Sequence, residues 1–555
     1  MGSHWFRNGT VCTMEPETPW AGSLVVHDDV IAFVGSDEDA RAHLRADTVE
    51  VDLEGGFLMP GFIDGHDHLI GGALAKVGVS LEGLHGKDAV LEQIRRFAVS
   101  HPDHEVIRGH GWTQFTFGHG VQPHRTWLDS VTDVRPAYIN SYEVHDMWAN
   151  TAAFVAAGID ASTPDPNPPA SYWPRDPDGF PAGTCCEPEA WMPIAVRLGM
   201  FTLESVQEAM AMSFWPAPSW GITSYFDASS MLQSRRLSSE VMEQLMAIDR
   251  ADGLPLRVIG SHVVRDDGRD PRREVATLRS LHEEVRSPHL TITTMKMFMD
   301  GVGPQHTAKM LEPYADVDHA GGWVLEPGFV QRAAEEANLA GFDVHIHACG
   351  DAGVRSALDA YQHVRATHPH LEPRNTVCHL EFCHPDDVAR FAPLGVTANV
   401  TPLWGTDYRG EFVDAYPGLV GEERFHRDYC PYGSVVRSGA NVTYGADCPG
   451  VEVHEIAPLV QIEAAVTRRR PGRPNDRPAG EHERVDVLDA LRCYTINGAR
   501  ALRLEHLTGS LRAGKQADLV WLGRSPLAVP PHEIHAIPVR GTMLGGRVTH
   551  GDVGG

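Results

Sequence analysis

Two histidines one residue apart close an apolar run, Phe57-Leu58-Met59-Pro60-Gly61-Phe62-Ile63-Asp64-Gly65-His66-Asp67-His68. Residues two apart on a strand share a face, so His66 and His68 can aim both imidazoles at one point, a metal-chelating geometry. In a chain with 31 histidines such a pair also arises by chance. Four residues further along the chain add the weight: Lys296, His347, His379 and Asp447 each stand at or near the carboxyl end of an apolar, strand-like segment. A lone strand histidine is ordinarily a satisfied core residue, but six polar exceptions at equivalent places point to one shared site. Lys296 is the most informative, because the chain has only five lysines and this one lies inside Thr293-Thr294-Met295-Lys296-Met297-Phe298-Met299. Burial leaves an amine neutral and nucleophilic, able to capture carbon dioxide as a carbamate that can bridge two metals; a guanidinium cannot do this.

Positioning such a set requires strands whose ends meet. From Gly221 onward apolar segments alternate with helical ones: 221–226, 256–260, 290–299, 342–347, 376–380, 395–400 and 441–447. With the segment ending at His68 they make eight β units, which predict an α/β fold, a (β/α)8 TIM barrel with its active site at the carboxyl ends of the strands. Between 71 and 220, Pro-rich runs such as 164–169 and 174–179 interrupt the pattern. A connection of that length cannot be structureless, so an inserted, lid-like subdomain is expected there. Short strands at 9–14, 23–27 and 30–35 are echoed at 517–522 and 539–548, and neither end has enough apolar surface to fold alone. Residues 1–58 plus 505–555 are therefore expected to form one small β-sandwich domain, with the barrel occupying 59–504.

Composition limits the partners. A net charge of −27 argues against nucleic acid and anionic membranes, which select basic patches, and leaves a small-molecule substrate. Nine cysteines, two of them adjacent at 185 and 186, form no disulfide framework. With no leader-like amino terminus and no apolar run of spanning length, a soluble, cytoplasmic protein is expected, acting as a homodimer.

Met59-Pro60-Gly61-Phe62-Ile63-Asp64-Gly65-His66-Asp67-His68 resembles the first-strand motif of the amidohydrolase superfamily. Lys296-Met297-Phe298-Met299-Asp300-Gly301, His347-Ala348-Cys349-Gly350-Asp351 and Gly514-Lys515-Gln516-Ala517-Asp518-Leu519-Val520 are similar to its YtcJ-like branch, almost end to end. The resemblance implies that His66 and His68 hold the more buried metal, Lys296 bridges as a carboxylated lysine, His347 and His379 hold a second metal, and Asp447 is the strand-eight aspartate. Zinc, as one or two ions, suits this donor set. Two departures leave the substrate open: Thr113 follows Trp112 where an acidic residue is common, and Cys378 precedes His379 where the branch often has Glu.

A metal-activated water would attack the substrate carbonyl, with Asp447 taking the proton and delivering it to the leaving nitrogen. His145, in a motif of the branch, could hydrogen-bond the carbonyl oxygen from the lid. The reaction expected is hydrolysis of a linear or cyclic amide. A mononuclear deaminase, which would not need Lys296, comes second, and a non-catalytic scaffold, which would be expected to have lost ligands, a distant third. The substrate is expected to be a small, neutral N-substituted amide or formamide. Aromatics such as Trp112, Trp148, Tyr225, Phe226, Phe298 and Trp404 crowd the motifs, with Trp112, Phe298 and Trp404 the foremost substrate contacts. The basic residues nearest in sequence, Arg108 and Arg409, lie outside the motif cores.

Overall fold

Eight parallel strands form the barrel: β1 Phe62–Asp67, β2 Ile222–Asp227, β3 Arg257–Val263, β4 Leu290–Phe298, β5 Asp343–Ala348, β6 Thr376–His379, β7 Thr397–Val400 and β8 Val442–Tyr444. They are hydrogen-bonded in that order around one sheet. The computed structural model describes residues 2–552 apart from 114, 119, 143, 169–170, 230–234, 266 and 409–411. Helices cover the outside, so β2 and β3 are buried along their whole length rather than on alternate residues. β8 meets β1 through the amide of Asp447, which donates to the His66 carbonyl at 3.0 Å. A Cβ at Gly445 would lie 2.5 Å from that same carbonyl oxygen, so the approach needs glycine there. The closure thus places the aspartate beside the two histidines.

Below the barrel, strands from the two chain ends build two sheets. One has four strands, Val30–Gly35, Ser23–His27, Ser3–Arg7 and Thr48–Asp52; the other includes Phe57–Pro60 paired with Leu519–Leu522. They bury Phe6, Leu24, Ile31, Leu58, Leu519 and Trp521 against one another. Phe57–Pro60 leads straight into β1, so the platform is continuous with the strand that carries His66. A buried ion pair fixes it further: Arg257 at the base of β3 donates to Asp518 at 2.7 Å.

Residues between β1 and β2 form a five-stranded sheet, in the order Thr184–Cys186, Asp146–Ala149, Ala137–Ser141, Ile107–Trp112 and Val79–Ser80. This sheet has apolar cores of its own on both faces and is tied to the barrel mouth by the buried pair Lys76–Glu452 at 3.1 Å. Among the described residues, no helix is long and apolar enough to cross a membrane.

Candidate metal centre

Asp447 is the hub of the strand ends. Its Oδ1 lies 3.2 Å from His66 Nε2 and 3.3 Å from His68 Nε2, and its Oδ2 is 3.6 Å from His379 Nδ1. The two imidazoles separated by one residue do converge on one point. The His347 and His379 rings are 4.5 Å apart, and His66 is 4.9 Å from His379. Lys296 is buried on β4 among them, its Nζ donating to Cys378 Sγ at 3.1 Å. The structure therefore gathers His66, His68, Lys296, His347, His379 and Asp447 from five strands into one cluster.

Burial, helped by the charge of Lys296, holds His66 and His379 well below the ordinary imidazole range and His347 at about 3. These rings are neutral, with lone pairs to offer. Burial pushes the Asp447 carboxyl up, but His379, His68 and Lys296 outweigh it and the group stays ionised. Neutral, buried imidazoles packed against a carboxylate point several lone pairs at one place, and a divalent cation resolves that. The donor atoms of His66, His68 and Asp447 lie within 4.8 Å of one another, as do those of His66, Cys378 and His379. The residues present fit zinc.

Partners behind the cluster orient it. His347 Nε2 donates to the Gly301 carbonyl at 3.1 Å, which turns Nδ1 toward the cluster. Asp300, buried in the β4 loop, accepts from the amides of Cys349, Gly350 and Lys309 and pins the loops after β4 and β5 together. His66 Nδ1 is 2.9 Å from His345 Nε2, and Phe226 stacks on His345 at 4.6 Å. Sequence reasoning did not single out His345, although His345 and His347 on β5 repeat the spacing of His66 and His68.

Above the cluster is a cavity of about 300 Å³, walled by barrel loops on one side and by Tyr142, Val144, His145, Trp191, Met200 and Phe201 of the insert on the other. His145 lines it, its Nδ1 2.8 Å from Glu187 Oε2. Val144 and Glu187 both have left-handed backbone, with φ of 60° and 68°. Such strain on non-glycine residues persists only where surrounding structure enforces it, commonly at functional sites. Glu187 had no signal in the sequence, because only the pairing of Asp146–Ala149 with Thr184–Cys186 brings it to His145.

Phe298 and Trp404 line the cavity as expected, and Trp404 stacks on His379 at 5.4 Å. Trp112 does not. Its indole N–H donates to the Ile139 carbonyl at 2.9 Å and its ring belongs to the insert's core, so it is a packing residue. Trp148 is likewise core, and Tyr225 is buried in the barrel's own core. Arg108 is engaged by Ser205 and the carbonyls of Leu198 and Gly199, and Arg409 lies outside the described residues. The cavity nonetheless has an arginine. Arg265, two residues past β3, is in its wall, which removes the ground for expecting a neutral substrate.

A model described as an amidohydrolase family matches residues 49–550. The N-substituted formamide deformylase of Arthrobacter pascens is 28% identical over 97% of this chain and 96% of its own length. The YtcJ protein of Bacillus subtilis is 24% identical over 98% of this chain and 99% of its own length. Among solved structures, a metal-dependent hydrolase from Pyrococcus horikoshii superposes with a TM-score of 0.72 at 23% identity, covering 95% of this chain and 99% of that one.

Proposed function

The chain belongs to the amidohydrolase family, and from that premise we propose that it is a zinc-dependent hydrolase of small N-substituted amides with an apolar, partly aromatic body. Hydrolysis of carbon–nitrogen bonds follows from the family and its relatives. The finer reading is supported above all by the convergence of four imidazoles, Lys296 and Asp447 beneath a cavity rich in aromatic rings. In this reading His66, His68 and Asp447 would hold one ion and His347 and His379 a second, and Lys296, as a carbamate, would supply oxygen ligands to them.

Zinc, when bound, supplies a water that is nucleophilic near neutral pH and polarises the substrate carbonyl. Asp447 takes the proton of the attacking water and returns it to the leaving nitrogen as the tetrahedral carbon collapses. His145, oriented by Glu187, hydrogen-bonds the carbonyl oxygen from the roof as negative charge develops there. Phe298, Trp404 and the insert's apolar wall hold the N-substituent and keep bulk water out.

The deformylase relative makes N-benzylformamide the first substrate to try. The test is amine release from a panel of aromatic formamides and amides by the zinc-loaded protein, beside ammonia release from aminopurines. Amine release supports the amidase reading; ammonia from the aminopurines with every amide intact would replace it with a deaminase.

A further inference from the structure

Arg265 leaves the barrel at the mouth of the site. Val263 pairs with Lys296, and the amide of Val264 donates to the Lys296 carbonyl at 2.9 Å, so the arginine begins one residue beyond the bond that clamps β3 to the lysine's strand. Its side chain lines the same cavity as His66, His68, His347 and Asp447. It stays exposed, yet protein crowds it enough for desolvation to lower its pKa, with Glu189 acting in the opposite sense from a distance. A group that projects into an internal cavity does both. Among the described residues no carboxylate lies within ion-pair distance of it. Arg374, Arg390 and Arg503, elsewhere in the chain, each have a carboxylate partner at 2.5–2.9 Å. A guanidinium fork lining the cavity matches a carboxylate with two parallel hydrogen bonds. The protein's net charge of −27 repels free anions, so an anionic substrate would need such a dedicated cation.

We propose that Arg265 is the specificity residue of this site, and that it receives the carboxylate of an amide whose scissile bond lies at the His66–Asp447 cluster. The substrate class is then an apolar amide carrying one carboxylate, such as an N-acyl derivative of an aromatic amino acid. This rests on the amidase reading of the cavity, and the test separates the two.

Amine release is measured for N-acetylphenylalanine and for N-acetylphenethylamine, which lacks only the carboxylate, with wild type, Arg265→Gln and Arg265→Lys. Alongside, hydrocinnamate and hydrocinnamide are titrated calorimetrically into the zinc-loaded proteins, which reads binding without turnover. Wild type should prefer the acid, and Arg265→Gln should lower the acid-to-neutral ratio of kcat/KM and of affinity by on the order of 10- to 100-fold, as loss of charge-assisted hydrogen bonds does. Arg265→Lys should recover part of it, chiefly through KM. Equal use of both amides by wild type overturns the proposal while leaving the amidase reading intact. Carboxylate affinity unchanged in Arg265→Gln also overturns it, because the anion would then sit on the metal. If neither amide is cleaved but hydrocinnamate binding depends on Arg265, the arginine's carboxylate-binding role stands and the amide substrate falls with the amidase reading.

Discussion

Replacing Asp447 with Asn keeps the shape of the hub and removes its charge and its capacity to carry a proton. In the native site Oδ1 serves His66 and His68 at 3.2 and 3.3 Å while Oδ2 faces His379 at 3.6 Å. An amide NH2 turned toward any of these rings would compete for the lone pair a metal needs, so one arm of the experiment is zinc per chain by elemental analysis. The other is kcat for amine release from the same preparation. Loss of a general acid-base group costs roughly two to four powers of ten, or about 3–5 kcal/mol of barrier. The expected loss is on the order of 100-fold or more. Zinc retained with kcat lost is the expected pattern. Zinc retained with kcat within a few fold of wild type would refute the proton-shuttling role and direct attention to His145.

Lys296→Arg should be nearly as damaging as Lys296→Ala, because guanidinium forms no carbamate; short-chain carboxylates should partly rescue only the alanine variant, and full activity with unchanged metal content in Lys296→Arg would exclude a bridging role. Glu187→Gln should lower kcat/KM by on the order of 10- to 100-fold, the worth of one charge-assisted hydrogen bond; an unchanged kcat/KM would make the pair structural. Asp249 accepts from Ser287 Oγ and from the amide and ring of His289 just ahead of β4. Burial pushes its carboxyl up, but these bonds outweigh burial and leave it depressed. Its contribution to stability is thus present above the ordinary Asp pKa and lost as pH falls through the folded value. Asp249→Asn should melt lower than wild type at neutral pH, with the gap in Tm closing as pH is taken down through that range; a gap independent of pH would contradict this.

The barrel was legible because apolar segments alternating with helical ones add up to eight β units. The cluster of His66, His68, Lys296, His347, His379 and Asp447 was legible because each stands at or near the carboxyl end of an otherwise apolar run, which has no other use for it. His345 was not, although its spacing from His347 supplied the signal, since a histidine inside a strand reads as core until a partner such as His66 is placed behind it. Trp112 shows the opposite failure: an aromatic ring in a motif carries no direction in sequence, and the Ile139 carbonyl decides that this one faces the insert's core. Arg265 and Glu187 lie on connections whose course depends on strand pairing, so proximity along the chain says nothing of the cavity they reach. The neutral-substrate expectation counted only arginines near the motifs and so did not weigh Arg265.

The central claim is that the clustered histidines and Asp447 hold a metal on which carbon–nitrogen hydrolysis depends. Its most direct measurement is amine release from a cleavable aromatic amide by protein stripped with a chelator and then titrated with zinc. Activity should vanish on stripping and return saturably at one or two equivalents per chain, with no return in His66→Ala. Hydrolysis that survives complete metal removal, or that returns equally in His66→Ala, would contradict it.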